Sequence, residues 1–360
     1  MARKSRFLLN SIYELKLLVS KVVLWLSIKL GLIHSIIIVP FNGYGNATQI
    51  FLVGRVLKNN RVGLSTIEDS VWSNVKRMIR RFSTVVLPGA TVKAQFQGKD
   101  YLVQTNEEGY FELTIELTER LEVMTGWIEV KLILMDQILR NQPPVEANAA
   151  VFIPESSSDF GIISDIDDTI VPTGAMRLTE MIKTTFSKNA HSRLPFPGVA
   201  ELYRSLEQGS SGLASNPFFY VSSSPWNLYD FLWELLHVHD IPAGPLMLRD
   251  IGLSRTELIA GDHEQHKTEQ ISKILTSYPS MPFILIGDSG QDDPMIYLKI
   301  IKAFPNRILG VFIRDIHDSR HEFVMEKKAE MHRLGVEMRM GKDTDEAKSY
   351  AITQGWIKPW

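Results

Sequence analysis

The sequence predicts an α/β protein: a doubly wound domain preceded by an antiparallel β-sandwich and an N-terminal amphipathic helix. Three textures carry that reading. Beyond Phe160, short apolar runs alternate with helical stretches, the pattern of a parallel sheet covered by helices. From Ile36 to about Val151, alternating runs are separated by glycine- and asparagine-rich turns, the pattern of an antiparallel sandwich. The first thirty residues are aliphatic and basic. The expected boundaries are 1–35 for the helix, 36–152 for the sandwich and 153–360 for the α/β domain, a division that a chain of 360 residues can support.

Composition excludes several chemistries. With 39 basic and 41 acidic side chains the net charge is -2, so no global field favours nucleic acid. The chain has no cysteine, which removes disulfides, zinc thiolates and cysteine nucleophiles. That composition suits a reducing, cytoplasmic setting.

In the N-terminal stretch Arg3, Lys4, Arg6, Lys16, Lys21 and Lys29 are opposed by Glu14 alone, with leucine and valine between them. No small-residue cleavage site follows the apolar core before Ile36, which argues against a secretory signal. A span from Val22 to Pro40 would carry Lys29 near its centre, a cost of about 2.5–3.5 kcal/mol that the aliphatic residues partly offset. A basic helix lying on an anionic membrane surface suits the charge placement better, and a helix packed on its own protein is the plain alternative.

The sandwich is expected from Ile36–Val39, Ile50–Leu57, Ala90–Phe96, Tyr101–Thr105, Tyr110–Ile115 and Trp127–Leu134, with Ala147–Val151 as a last strand. Turns fall at Asn42–Asn46, Gln97–Asp100 and Asn106–Gly109. Between them, Val71, Val75, Met78, Ile79 and Phe82 share one helical face, and Lys76, Arg77, Arg80 and Arg81 the other. Pro143-Pro144 and Ser156-Ser157-Ser158 mark the junction with the next domain.

In that domain Gly161–Ser164, Phe218–Val221, Phe283–Ile286 and Ile308–Ile313 read as buried strands. The first three end in different polar groups: the carboxylates Asp165, Asp167 and Asp168 with Thr169; the hydroxyls Ser222, Ser223 and Ser224; and Gly287-Asp288 with Asp292 and Asp293 downstream. Neighbouring parallel strands bring such ends to one crevice. Clustered aspartates repel unless a cation compensates them, and an oxygen-seeking divalent metal is the natural one. Lys267, at the head of a helical stretch, is placed to reach the same crevice. Aspartates, a lysine and hydroxyls together suit metal-assisted phosphoryl transfer. Asp262, His263 and His266 form a second candidate metal cluster, read as a solvated, helix-initiating loop.

Asp165-Ile166-Asp167-Asp168-Thr169, Ser222, Lys267 and Gly287-Asp288…Asp293 resemble the four motifs of the haloacid dehalogenase superfamily. More narrowly, Phe196-Pro197-Gly198, Ser222-Ser223-Ser224-Pro225-Trp226, Gly244-Pro245…Leu248-Arg249 and Gly287-Asp288-Ser289-Gly290-Gln291 resemble the actin-patch-associated (App1-like) phosphatidate phosphatase catalytic domain, over roughly Gly161 to Asp315. The resemblance implies a haloacid dehalogenase-like fold and a Mg2+ cofactor. It implies Asp165 as nucleophile and metal ligand, and Asp167 as general acid and base whose carbonyl also meets the metal. Ser222, or Ser223 in its place, and Thr169 would bind the phosphoryl group. Lys267 would steady nucleophile and phosphate, and Asp288 and Asp293 would complete the metal shell, with Asp292 as a competitor for Asp293. Met176 to Lys188 reads as a short helical insertion over the site.

The leading expectation is a magnesium-dependent phosphatase acting on phosphatidate at an anionic membrane surface, peripheral to it. A soluble phosphomonoester as substrate, or an inactive binding protein built on the sandwich, are the alternatives.

Overall fold

The computed structural model describes residues 18–19, 21–59, 76, 80, 85–117, 125–155, 157–172, 194–250 and 263–359. The chain divides into two compact units, one containing most of the chain up to Ile153 and the other most of it from Pro154 onward.

The first unit is built on one hydrogen-bonded sheet of eight strands: β1 (Ile36–Pro40), β2 (Gly43–Gly45), β3 (Gln49–Lys58), β4 (Thr91–Phe96), β5 (Lys99–Gln104), β6 (Tyr110–Glu116), β7 (Gly126–Leu134) and β8 (Glu146–Ile153). Alternation decides which side chains enter the core. Val92, Ala94 and Phe96 of β4 face inward, as do Ile128, Val130, Leu132 and Leu134 of β7, into a core shared with Ile50, Phe111 and Val151. The pairing is antiparallel with one exception, the parallel contact between β2 and β8. The glycine-rich segment expected as a turn is thus itself a short strand. Gly43 and Gly45 permit this, because a Cβ at Gly45 would stand 2.6 Å from the Gln49 carbonyl oxygen and 2.9 Å from Ile153. The turn after β4 is tighter than expected: Gln97 and Gly98, both at positive φ, make it alone, and Lys99 and Asp100 already pair.

Residues 21–29 are helical, and Leu24 and Ile28 pack against the core of this unit. The possible span to Pro40 is overturned, because Ile36–Pro40 pairs along its whole length with Gly54–Lys58 of β3. Among the described residues no helix is long and apolar enough to cross a membrane. Lys76 and Arg80 are helical and exposed. The rest of the expected basic helix, and Met176 to Lys188, lie outside the described residues.

The second unit holds a six-stranded parallel sheet of β9 (Gly161–Ser164), β10 (Phe218–Pro225), β11 (Leu246–Arg249), β12 (Phe283–Asp288), β13 (Ile308–Arg314) and β14 (Met338–Gly341). Its order is β11-β10-β9-β12-β13-β14, so the chain builds outward from β9 in one direction and then in the other. The carboxyl ends of β9 and β12 meet where that direction reverses, the position at which such sheets form a crevice. Strands β9 and β12 are buried on both faces, as continuous apolar runs require. Helices Val199–Gln208, Tyr229–Val238, His263–Ser277, Asp293–Ala303, His321–Arg333 and Asp345–Thr353 lie between or after the strands.

The close approach of β9 and β12 depends on Gly161. A Cβ there would lie inside the Phe283 ring contact and 3.1 Å from the Met281 sulfur. Gly161→Ala is therefore expected to destabilise the second unit by roughly 1–3 kcal/mol as an overpacked core. Urea denaturation measures it, and an unchanged midpoint would contradict the packing argument.

Candidate active site

Asp165 follows β9 directly and is held in register by its own N–H, which donates to the Ile286 carbonyl of β12 at 2.9 Å. Its carboxylate is 1% exposed. Thr169 donates its hydroxyl to Asp165 Oδ2 at 3.2 Å across a turn in which Asp168 takes φ 61 and its N–H donates to the Val171 carbonyl. A left-handed backbone is one that aspartate tolerates better than most residues, which gives Asp168 a use as a turn residue.

Strand β12 ends in Gly287-Asp288, and the helix Asp293–Ala303 begins five residues later with Asp293 fully buried. Asp293 Oδ2 accepts from the Asp288 N–H at 3.2 Å. Gly287 makes room for this, since a Cβ there would clash with Asp293 Oδ2 and stand 2.8 Å from the Tyr297 hydroxyl. Asp288 Oδ1 accepts two N–H groups, from Gly290 at 2.7 Å and Gln291 at 2.9 Å. Its Oδ2 is buried without a hydrogen-bond partner.

Lys267 reaches this group from the helix His263–Ser277. Its ammonium, 2% exposed, lies 2.6 Å from Asp293 Oδ1 and 2.9 Å from Asp165 Oδ1. Burial alone would disfavour that charge, but Asp165, Asp293 and Asp288 hold its pKa above the ordinary lysine value. The carboxylates feel the opposite balance. Burial raises Asp165 well above the usual carboxylate range despite the Lys267 charge, and burial followed by the Asp293 charge pushes Asp288 up to about 8. One ammonium does not neutralise three buried carboxylates. Asp165, Asp288 and Asp293 each offer an oxygen within 4.8 Å of the others, and the unpartnered Asp288 Oδ2 is one of the buried oxygens there. An all-oxygen anionic donor set fits a hard divalent cation.

Asp167 stands apart from this trio. Its Oδ2 accepts the Ser224 hydroxyl at 2.7 Å and the Ser222 hydroxyl at 3.1 Å, both from β10. Its backbone carbonyl accepts from Gln291 Nε2 at 3.3 Å. Ser222 Oγ also accepts the Ser224 N–H at 2.9 Å, so the serine strand end is a connected unit. Ser223 Oγ is buried without a partner.

Of the residues singled out from sequence, the structure therefore gathers Asp165, Thr169, Lys267, Asp288 and Asp293, and sets Asp167 beside Ser222. Asp292 is excluded from the trio: it is half exposed and pairs with Arg320 at 2.8 Å. The histidine cluster does not assemble among the described residues. His263 is exposed, Asp262 lies outside those residues, and burial holds His266 down to about 4. Two contributors were missed. Ser224 sat among three identical hydroxyls with no sequence signal to separate it. Arg314, at the end of β13, donates to the Thr169 carbonyl at 3.0 Å and stacks its guanidinium on Phe196; its place next to Asp288 in the sheet register was the usable clue.

Comparison with known proteins bears on the same segment. Residues 160–315 match the family described as "Phosphatidate phosphatase APP1, catalytic domain". Phosphatidate phosphatase APP1 of Saccharomyces cerevisiae is 34% identical over 156 residues, which is 43% of this chain and 26% of that protein. An uncharacterised Schizosaccharomyces pombe protein, C29B5.04c, is 27% identical over 221 residues, 60% of this chain and 35% of that protein. The chain thus spans about a third or less of the length of these two relatives. Among solved structures, the carbohydrate acetylesterase XAC1771 from Xanthomonas citri aligns over 83% of this chain and 66% of its own, at 10% identity and a TM-score of 0.29, which carries no argument.

Lys267→Met keeps the length of the side chain and removes the charge. It is expected to cost on the order of 3–5 kcal/mol, the usual penalty for leaving buried charges uncompensated. Guanidinium denaturation without added metal measures this; a loss under about 1 kcal/mol would mean that the ammonium does not hold the carboxylates together.

Proposed function

We propose, from the App1-like catalytic domain that residues 160–315 carry, that this chain is a magnesium-dependent phosphatidate phosphatase with a haloacid dehalogenase-like, doubly wound catalytic unit. It converts phosphatidate to diacylglycerol and phosphate, working peripherally at an anionic, cytoplasmic membrane surface. The observation that carries the reading is the buried group of Asp165, Asp288 and Asp293 around Lys267, with a second carboxylate, Asp167, held nearby by two serines.

Each residue then has a task. Asp165 attacks phosphorus, the bond from phosphorus to the diacylglycerol oxygen breaks, and an aspartyl phosphate forms on Asp165. Asp167 gives its proton to the departing alkoxide; in the second step it takes a proton from the water that attacks phosphorus, releasing phosphate and restoring the Asp165 carboxylate. Ser222 and Thr169 donate hydrogen bonds to phosphoryl oxygens, with Ser223 a second hydroxyl on the same strand. Lys267 keeps Asp165 aimed and answers the negative charge that gathers on the phosphoryl group. Asp165, Asp288 and Asp293 would hold magnesium, and the Asp167 carbonyl, which accepts from Gln291 Nε2, would add a further oxygen. When bound, the ion neutralises charge on the transferring group. Ser224, by hydrogen-bonding Asp167, sets the direction from which that acid acts.

Asp165→Asn preserves shape and removes the nucleophile, so phosphate release from phosphatidate is expected to fall on the order of thousands-fold or more. Asp167→Asn should be most severe on substrates with poor leaving groups, where protonation matters most. Release is measured across phosphatidate, lysophosphatidate and sugar phosphates, with and without chelator. Turnover by Asp165→Asn at the wild-type rate would remove covalent catalysis, and preference for sugar phosphates would remove the lipid substrate.

A further inference from the structure

The helical segment 21–29 is apolar on both sides. Its inward side is already satisfied: Leu24 and Ile28 pack against the core of the first unit, Ser27 is buried, and Ile33 after the helix is part of that core. Its outward side carries Val22, Trp25 and Leu26, exposed by 46%, 57% and 41%, and is continued by Leu18 before it and Leu30 after it, exposed by 60% and 67%. A surface helix ordinarily turns charged and polar residues to water. Here the helical repeat places large apolar side chains over the outward arc, and Lys29 stands among them with its ammonium 4.5 Å above the Trp25 ring.

We propose that this outward face is an interfacial anchor, inserted into the headgroup region of an anionic bilayer. The anchor deepens the membrane-surface part of the reading above and does not depend on the phosphatidate chemistry. Charge selects the occupant. From Leu15 to Ser35 the chain carries Lys16, Lys21 and Lys29 and no carboxylate. A second copy docked on the same face would bring lysines against lysines with no acid to answer them, whereas anionic headgroups answer them directly. Tryptophan and lysine are also the side chains that place an apolar body in lipid and a polar end at the headgroups. Geometry selects the depth. Leu24 and Ile28 pack against the core of the first unit, and the chain enters β1 of its sheet soon afterwards, so residues 21–29 lie along the surface of that unit. The electrostatic attraction of the basic residues brings the chain to the lipid; the leucines, valine and tryptophan keep it there.

The test uses the full chain and vesicles of phosphatidylcholine with and without phosphatidylserine. These contain no phosphatidate, so the result stands whatever the chain hydrolyses. The wild type is expected to co-sediment with the anionic vesicles and to remain largely attached at about 1 M salt, where the screening length is about 3 Å. Val22→Glu and Leu26→Glu, both at exposed positions, should each weaken partition by about tenfold or more, from the lost burial of one aliphatic side chain. Far-UV circular dichroism melts check that they fold. In the intact wild type, brominated lipid should quench tryptophan fluorescence by a component that disappears in Trp25→Phe. Complete release by salt, unchanged partition of both glutamate variants, no Trp25-dependent quenching, or a dimer dissociated by those variants without vesicle binding would each overturn the anchor.

Discussion

The second unit depends on one ammonium. Lys267 lies between Asp165 and Asp293 with all three side chains at most 2% exposed, and its charge is what allows those carboxylates to share a crevice. Much of the surrounding sequence serves that arrangement. Strands β9 and β12 lie side by side in parallel, which carries Asp165 and Asp288 to the same edge. Gly287 lacks the Cβ that would fill the space of the Asp293 carboxylate, and Tyr297 donates to the Ile286 carbonyl at 2.7 Å from the same helix that Asp293 begins. The balance is incomplete: with burial raising Asp165 and Asp288, the site favours a further cation.

Separating Asp165 from Asp167 is the second constraint. Asp165 and Asp167 are two residues apart, yet one faces Lys267 and the other faces Ser222 and Ser224. Strand β9 ends at Ser164, and the Ile166 carbonyl already accepts from the Ile170 N–H at 2.9 Å, so the chain leaves its extended course between the two carboxylates. Two carboxylates in different surroundings are able to take different roles, one as nucleophile and one as proton carrier.

Much of this was legible in the chain because strand ends announce themselves. An apolar run that stops at a carboxylate, as at Ser164-Asp165 and Ile286-Gly287-Asp288, gives both the strand and its polar edge. The parallel sheet followed from alternation with helices, and most strands of the first unit from period-two alternation, although they join in one eight-stranded sheet. What stayed hidden depended on distant partners. Gly43–Gly45 reads as a turn because its strand character is conferred by β3 and β8. Leu246–Arg249 and Met338–Gly341 are too short to stand out without the neighbours that pair with them. Asp292 and Asp293 were indistinguishable as residue types; what separates them is the helix start, which buries Asp293 beneath Lys267 and leaves Asp292 outside with Arg320. The outward apolar face of residues 18–32 was hidden for a related reason, since the composition alone does not say which side the core has already taken.

The central claim is that Asp165, Asp288 and Asp293 form an incompletely compensated cation site. Thermal unfolding of the intact chain across a magnesium titration tests it without requiring turnover. An ion that binds the folded state alone stabilises it by about 2.7 kcal/mol at a hundred times its dissociation constant. The Tm is expected to climb with magnesium in the wild type and to stay nearly flat in Asp288→Asn. Equal responses in the two proteins, or none in the wild type, would contradict it.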